Sequence, residues 1–163
     1  MAVTGVPTDA ELTAQLLQAY TALGGVGNPV VLTLPWVPVA KTRPRFTRGG
    51  RAYHDPKDRA AEEKTRTWLL LNTAGRLETN VVVVAGFCRP DRRGVDSDNL
   101  LKHFLDASNN VLFYDDVQVT ASAAVVEYDP QHPRTVVVFG EHDSSMDRVL
   151  APTSPRRKKP RGG

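Results

Sequence analysis

The sequence predicts an α+β fold: one domain with a mixed β-sheet and helices packed on it. Three observations predict it. Runs rich in β-branched residues recur at 28–38, 77–88, 117–128 and 135–140. Segments of helical periodicity lie before the first run and between the first three, which calls for crossovers and a partly parallel sheet. A chain of 163 residues supports one core rather than two.

Each element has a local cause. Thr8 followed by Glu11 is a capping-box pattern, and Leu12, Leu16, Ala19, Tyr20 and Leu23 follow at helical spacing until Gly24-Gly25. The run NPVVLTLPWVP reads as a strand leaving into a loop at its prolines. Asp55-Pro56 starts a second helix, with Pro at its first position, that runs through Ala60, Ala61, Trp68 and Leu69 to Gly75. Leu77 to Cys88 is almost uninterrupted in apolar character, as in a strand covered on both faces at the centre of a sheet. A third helix spans about Ser97 to Asn109. A strand from about Val117 to Tyr128 and the last one, Thr135 to Gly140, are joined through Asp129-Pro130 and His132-Pro133, which predicts an antiparallel pair. The expected organisation is a helical extension over 1–27, a core domain over 28–142 and a mobile basic tail over 143–163.

Composition excludes several classes. Hydrophobic residues make up 40% and charged residues 24%, as in a globular chain, and no stretch has the roughly 18 apolar residues of a spanning helix. No basic region followed by an apolar run opens the chain, so a cytoplasmic location without membrane partners is expected. Cys88 has no internal partner and is expected to pack as a small hydrophobe.

Charge is unevenly spread. The tail SPRRKKPRGG carries five positive charges and no acid, although the net charge is only +3, so the rest is mildly acidic. Lys41, Arg43, Arg45, Arg48 and Arg51 form a second basic cluster without an intervening acid. Two such segments suit a polyanionic partner through counterion release, and equally describe a solvated loop and tail.

The chemistry is concentrated in VDSDNLLKHFLDASNNVLFYDDVQ, residues 95–118. Asp98, Lys102 and Asp106 fall on one helical stripe, with Leu101, Phe104 and Leu105 on the buried one. Strand alternation puts Asp116 on the polar face with Gln118, Thr120 and Ser122, and leaves Asp115 off it. Convergent carboxylates bind Mg²⁺ or Mn²⁺, which polarise a phosphodiester and acidify a water, and a nearby lysine neutralises charge building on phosphate. Singly, the same residues also fit structural work: Asp96 as an N-cap, Asp98 as a first-turn acid paired with Lys102, and Asp115-Asp116 as loop residues.

Taken in order, LPWVPVAKTRPRF, RPDRR, DSDNLLKHFLDA and FYDDVQV resemble the RusA family of Holliday junction resolvases, frequent in phages and prophages, in which D-x-D-N-x-x-K, an F-D-A-like segment and D-D-x-Q recur. The resemblance covers about Val30 to Gly140. It implies a homodimer that nicks two strands of a four-way junction with Mg²⁺ in DNA recombination and repair, Mn²⁺ being a possible substitute, in a bacterial host cell. Carried over, Asp96, Asp98 and Asp116 serve the metal and catalysis, and Lys102 is needed for activity. Asn99, Asp106, Asp115 and Gln118 match supporting positions, and the proline-tryptophan segment with Lys41, Arg43, Arg45, Arg48 and Arg51 matches a DNA-contacting part. A nuclease for forks or flaps, and a non-catalytic binder of branched DNA, are the alternatives. Concentrated acids speak against a mere phosphate binder.

Overall fold

In the computed structural model, which describes residues 5–146, the chain runs α1 (Asp9–Ala22), β1 (Val30–Leu34), β2 (Arg45–Phe46), β3 (Ala52–Tyr53), α2 (Pro56–Asn72), β4 (Val81–Arg89), α3 (Ser97–Ser108), a 3₁₀ turn (Asp116–Gln118), β5 (Val119–Tyr128) and β6 (Arg134–Glu141). Four strands form one sheet in the order β1-β6-β4-β5. Only β4 and β5 are parallel, joined by the α3 crossover, so the sheet is mixed and the fold is α+β as predicted. The basic tail lies outside the described residues, as does all but Asp143–Met146 of the segment expected to be mobile.

Strand order departs from the expectation in one place. β5 and β6 do not pair with each other; β4 lies between them. The reason is burial: Val81 to Cys88 are all buried, and a strand apolar on both faces gains most at the centre, with a neighbour on each edge. The turn after β5 therefore crosses the end of β4, where Asp129 N–H donates to Arg89 O at 2.8 Å.

Alternation along β4 builds two half-cores. Val81, Val83, Ala85 and Phe87 pack with Val137 and Phe139 against Leu69 of α2 and Leu100 and Phe104 of α3. Val82, Val84 and Cys88 pack with Val136 and Val138 against Leu12, Leu16 and Tyr20 of α1. The helix predicted as an extension thus covers β4 and β6 on one face of the sheet, while Val31 and Thr33 of β1 on that face stay exposed. Its three inward side chains are at most 2% exposed, and burial of each such side chain is worth about 1.5–3 kcal/mol. Helix α1 begins as its sequence predicts, with Thr8 Oγ1 accepting from Glu11 N at 3.2 Å and Glu11 accepting from Thr8 N at 2.8 Å. Gly86 lets α1 approach, because a Cβ there would stand 2.9 Å from Leu12 Cδ1. Cys88 is a free, buried thiol, and burial pushes its pKa up.

The far end of the sheet is tied by an ionic knot. Arg134 donates to Asp129 at 2.6 Å, to Asp9 at 2.5 Å and to the carbonyl of His132 at 2.8 Å, joining the start of α1 to the β5–β6 turn. Burial alone would raise the Asp129 carboxyl; the N–H groups of His132 and Gln131 and the Arg134 guanidinium outweigh it and hold the carboxyl below its ordinary value. Removing one partner of a buried pair strands the other charge, so Arg134→Met should lower stability by about 3–5 kcal/mol near neutral pH. Because the folded-state pKa is lowered, this contribution is present above the usual carboxylate pKa and lost as pH falls through the lowered value. Urea unfolding at neutral and acid pH should show the gap between wild type and variant closing in acid; a gap independent of pH would count against this role.

Candidate active site

Helix α3 begins where Asp96, in extended conformation, accepts from Asp98 N at 2.9 Å and from Asn99 Nδ2 at 3.4 Å. It satisfies an N–H that the helix cannot. Asp98 is exposed in the first turn, where the helix dipole favours an acid. Lys102 and Asp106 continue the stripe, with Lys102 Nζ 3.8 Å from Asp106 Oδ1. Opposite, Leu100, Leu101, Phe104 and Ala107 are buried, while Leu105 is only half-buried.

The second acid pair is set differently from the expectation. Asp116 does not lie on a strand: Asp116–Gln118 form a 3₁₀ turn, and β5 starts at Val119. A register shift follows at once, Val81 pairing with Val119 and Val82 with Ala121, so Thr120 is an extra residue. Val119 therefore packs on the α3 side, while Ala121, Ala123 and Val125 pack on the α1 side. The shared polar face of Asp116, Gln118, Thr120 and Ser122 is thus not formed.

Gln118 instead is fully buried, with its amide satisfied four times. Nε2 donates to Leu77 O at 3.0 Å and Thr79 O at 2.9 Å, and Oε1 accepts from Tyr114 N at 2.7 Å and Asp115 N at 3.2 Å. Asp115 caps the turn by accepting from Val117 N at 3.0 Å. The Asp115-x-x-Gln118 spacing is that of a capping box, a signal present in the sequence and obscured by assuming a strand there. Gln118 thereby holds the turn that carries Asp116 against the chain leading into β4.

Asp116 is half-buried, and its carboxyl is raised above the ordinary range. Burial contributes most, then the hydrogen bond and charge of Asp115 and the charge of Asp106, with Lys102 opposing. Asp106 also takes the Lys41 ammonium, which lies 3.7 Å from Glu62 as well. Burial would lower the Lys41 pKa, but Asp106 and Glu62 prevail and raise it. The structure thus gathers Lys41, Lys102, Asp106, Asp115 and Asp116, while Asp96 and Asp98 stand at the opening of the helix, Asp98 one turn before Lys102. Carboxylate oxygens in excess suit a hard divalent cation, which would relieve the crowding at Asp116. Among the described residues, however, no three His, Cys, Asp or Glu side chains stand close enough together to hold a metal ion.

The basic cluster, expected as a loop, includes a small hairpin. Arg45 pairs with Tyr53 and Phe46 with Ala52, and Thr47 N donates to Arg51 O at 3.0 Å around a turn with Gly50 at φ 76°. Arg43, Arg45, Arg48 and Arg51 are exposed, and Phe46 is 70% exposed. Trp36 of the proline-tryptophan segment packs edge-on to Trp68 of α2, with ring centroids 5.9 Å apart, and does not face outward with the arginines. His103, given no chemistry from the sequence, is buried beside Thr65 Oγ1 at 3.3 Å, and burial lowers its pKa.

Compared with models of known families, residues 35–139 match the one described as Endodeoxyribonuclease RusA. A search of curated proteins gives no match. The matched span, more than half of the chain, runs from the turn after β1 into β6 and contains every acid of the α3 stripe, Asp115, Asp116 and the basic hairpin. No helix among the described residues is long and apolar enough to cross a membrane.

Proposed function

The chain belongs to the RusA endodeoxyribonuclease family, enzymes that hydrolyse phosphodiester bonds of DNA, and from that premise we propose that it resolves four-way junctions by paired, Mg²⁺-dependent nicks. The observation that supports this reading best is the crowding of Asp116 by Asp115 and Asp106 beside Lys102. Asp116 would be the central ligand of the ion, and Asp98 and Asp96, which do not stand with it within reach of one ion here, would have to close on it. When bound, Mg²⁺ supplies Lewis acidity toward the scissile phosphate and a more acidic water. Lys102, 59% exposed at its side chain, reaches out to the phosphate and neutralises the charge that builds on it. Arg43, Arg45, Arg48 and Arg51 grip the backbone of DNA, and Phe46 offers a ring to bases unstacked at the branch. Two scissile phosphates related by a twofold axis call for a homodimer with one site on each.

Labelled four-way junction, fork and linear duplex, incubated with and without Mg²⁺, test the proposal. Symmetric nicks in the junction that disappear with EDTA are expected. Equal cutting of linear duplex, or cutting without a divalent ion, would overturn it; a preference for forks would move the substrate. Sedimentation of a monomer on junction DNA would remove the twofold part.

A further inference from the structure

We propose, resting on the cleavage reading above, that Asp106 is a positioning residue that sets Lys102 beside Asp116 and fixes the root of the basic hairpin, with Lys41 as its charge partner rather than a DNA contact. Asp106 lies one helical turn beyond Lys102, and its side chain is only 16% exposed. Its two oxygens are divided between lysines: Oδ2 takes Lys41 Nζ, and Oδ1 stands 3.8 Å from Lys102 Nζ. Arg66 donates to the Asp106 carbonyl at 3.1 Å and stands 3.5 Å from Glu62, which lies 3.7 Å from Lys41. Five side chains from α2, α3 and the segment after β1, those of Lys41, Glu62, Arg66, Lys102 and Asp106, are therefore linked.

Lys41 is held at both ends. Its N–H donates to Asn99 O at 3.0 Å, in the first turn of α3, and its ammonium reaches Asp106 in the last. The chain enters the hairpin at Arg45, so α3 dictates where the hairpin leaves the body. An ammonium 20% exposed and flanked by two carboxylates has little charge left to offer a phosphate, unlike the exposed Arg43, Arg45, Arg48 and Arg51. Lys102 has the opposite setting. It is 59% exposed, and its one ion pair among the described residues is with Asp106; freed of it, a four-carbon stem would scatter the ammonium over many rotamers. The Lys102–Asp106 pair, exposed on the lysine side, contributes little stability, so its loss should appear in placement of the reacting groups.

The test compares Lys41→Met, Lys41→Arg, Asp106→Asn and the double variant Lys41→Met/Asp106→Asn with wild type and Arg45→Ala. Junction binding is followed against salt without divalent ion, and single-turnover cleavage at saturating enzyme with Mg²⁺. Lys41→Met should keep the wild-type salt slope, whereas Arg45→Ala should lose about 0.9 for its phosphate. Lys41→Met and Asp106→Asn should each slow saturated cleavage by about 10- to 100-fold with the Mg²⁺ midpoint unchanged, as loss of a supporting group does. The double variant should be no slower than the worse single one, and Lys41→Arg should recover most of the rate. A salt slope reduced in Lys41→Met as in Arg45→Ala would make Lys41 a DNA contact and overturn the proposal. Wild-type cleavage by Asp106→Asn, or a shifted Mg²⁺ midpoint that makes Asp106 a ligand, would do so as well. If Asp106→Asn fails to fold, Lys41→Met still decides through both readouts. Absence of cleavage by wild type itself would instead sink the cleavage reading, with the salt slopes still judging Lys41.

Discussion

Asp116→Asn is expected to abolish junction cleavage while leaving junction binding intact or tighter. The amide keeps the shape of the carboxylate and so disturbs the 3₁₀ turn little, but it removes the charge on which the proposed metal site depends. Single-turnover cleavage should fall by on the order of 10³-fold, about 4 kcal/mol of transition-state stabilisation. Binding should not suffer, because the substitution removes a negative charge from a place already crowded by Asp115 and Asp106 that must approach phosphate. The same change at Asp98 should act in the same direction if both carboxylates serve one ion. Gel-shift titration in EDTA beside a cleavage time course separates the two quantities. Cutting at the wild-type rate by Asp116→Asn would contradict the assignment of the site.

Gln118→Leu is expected to destabilise the protein and to disorganise the site together. Leucine preserves most of the volume but offers nothing to Leu77 O, Thr79 O, Tyr114 N and Asp115 N, which now satisfy the buried amide. At ~1–3 kcal/mol for each buried group left unpaired, and with some groups finding water, a loss of at least about 3 kcal/mol follows. Gln118→Glu retains the two acceptor contacts only in principle, since a carboxylate cannot donate to the carbonyls of Leu77 and Thr79, and it should also destabilise. Denaturant unfolding gives the first effect. Cleavage per folded molecule gives the second, because the turn released is the one that carries Asp116. Stability within about 0.5 kcal/mol of wild type, the usual range for surface substitutions, would show that the amide network does not hold the turn.

The sequence by itself determined the pieces whose causes are local. Thr8 with Glu11, Asp55 before Pro56 and Asp96 before Ser97 begin the three helices where their caps require, and each cap acts over three residues or fewer. The apolar composition of Val81 to Cys88 determined that β4 is central, since no edge position could cover both of its faces. The stripe of Asp98, Lys102 and Asp106 follows from helical spacing alone, and the family from the ordered motifs around it. Tertiary structure decided what depends on partners distant in the chain. Whether β5 pairs with β6 or with β4 is a competition for the edges of one strand, and the turn residues between β5 and β6 do not weigh in it. The extra residue at Thr120 breaks the alternation that the strand period alone assigns to Asp116, because a strand's faces are set by its neighbour's register as well as by its own period. Lys41 reads as one more cation of a basic cluster until the packing of α2 on α3 brings Glu62 and Asp106 to it, Asp106 from 65 residues away. A charge in sequence carries its sign with it; only the fold supplies the opposite charges that decide whether it is free to meet DNA.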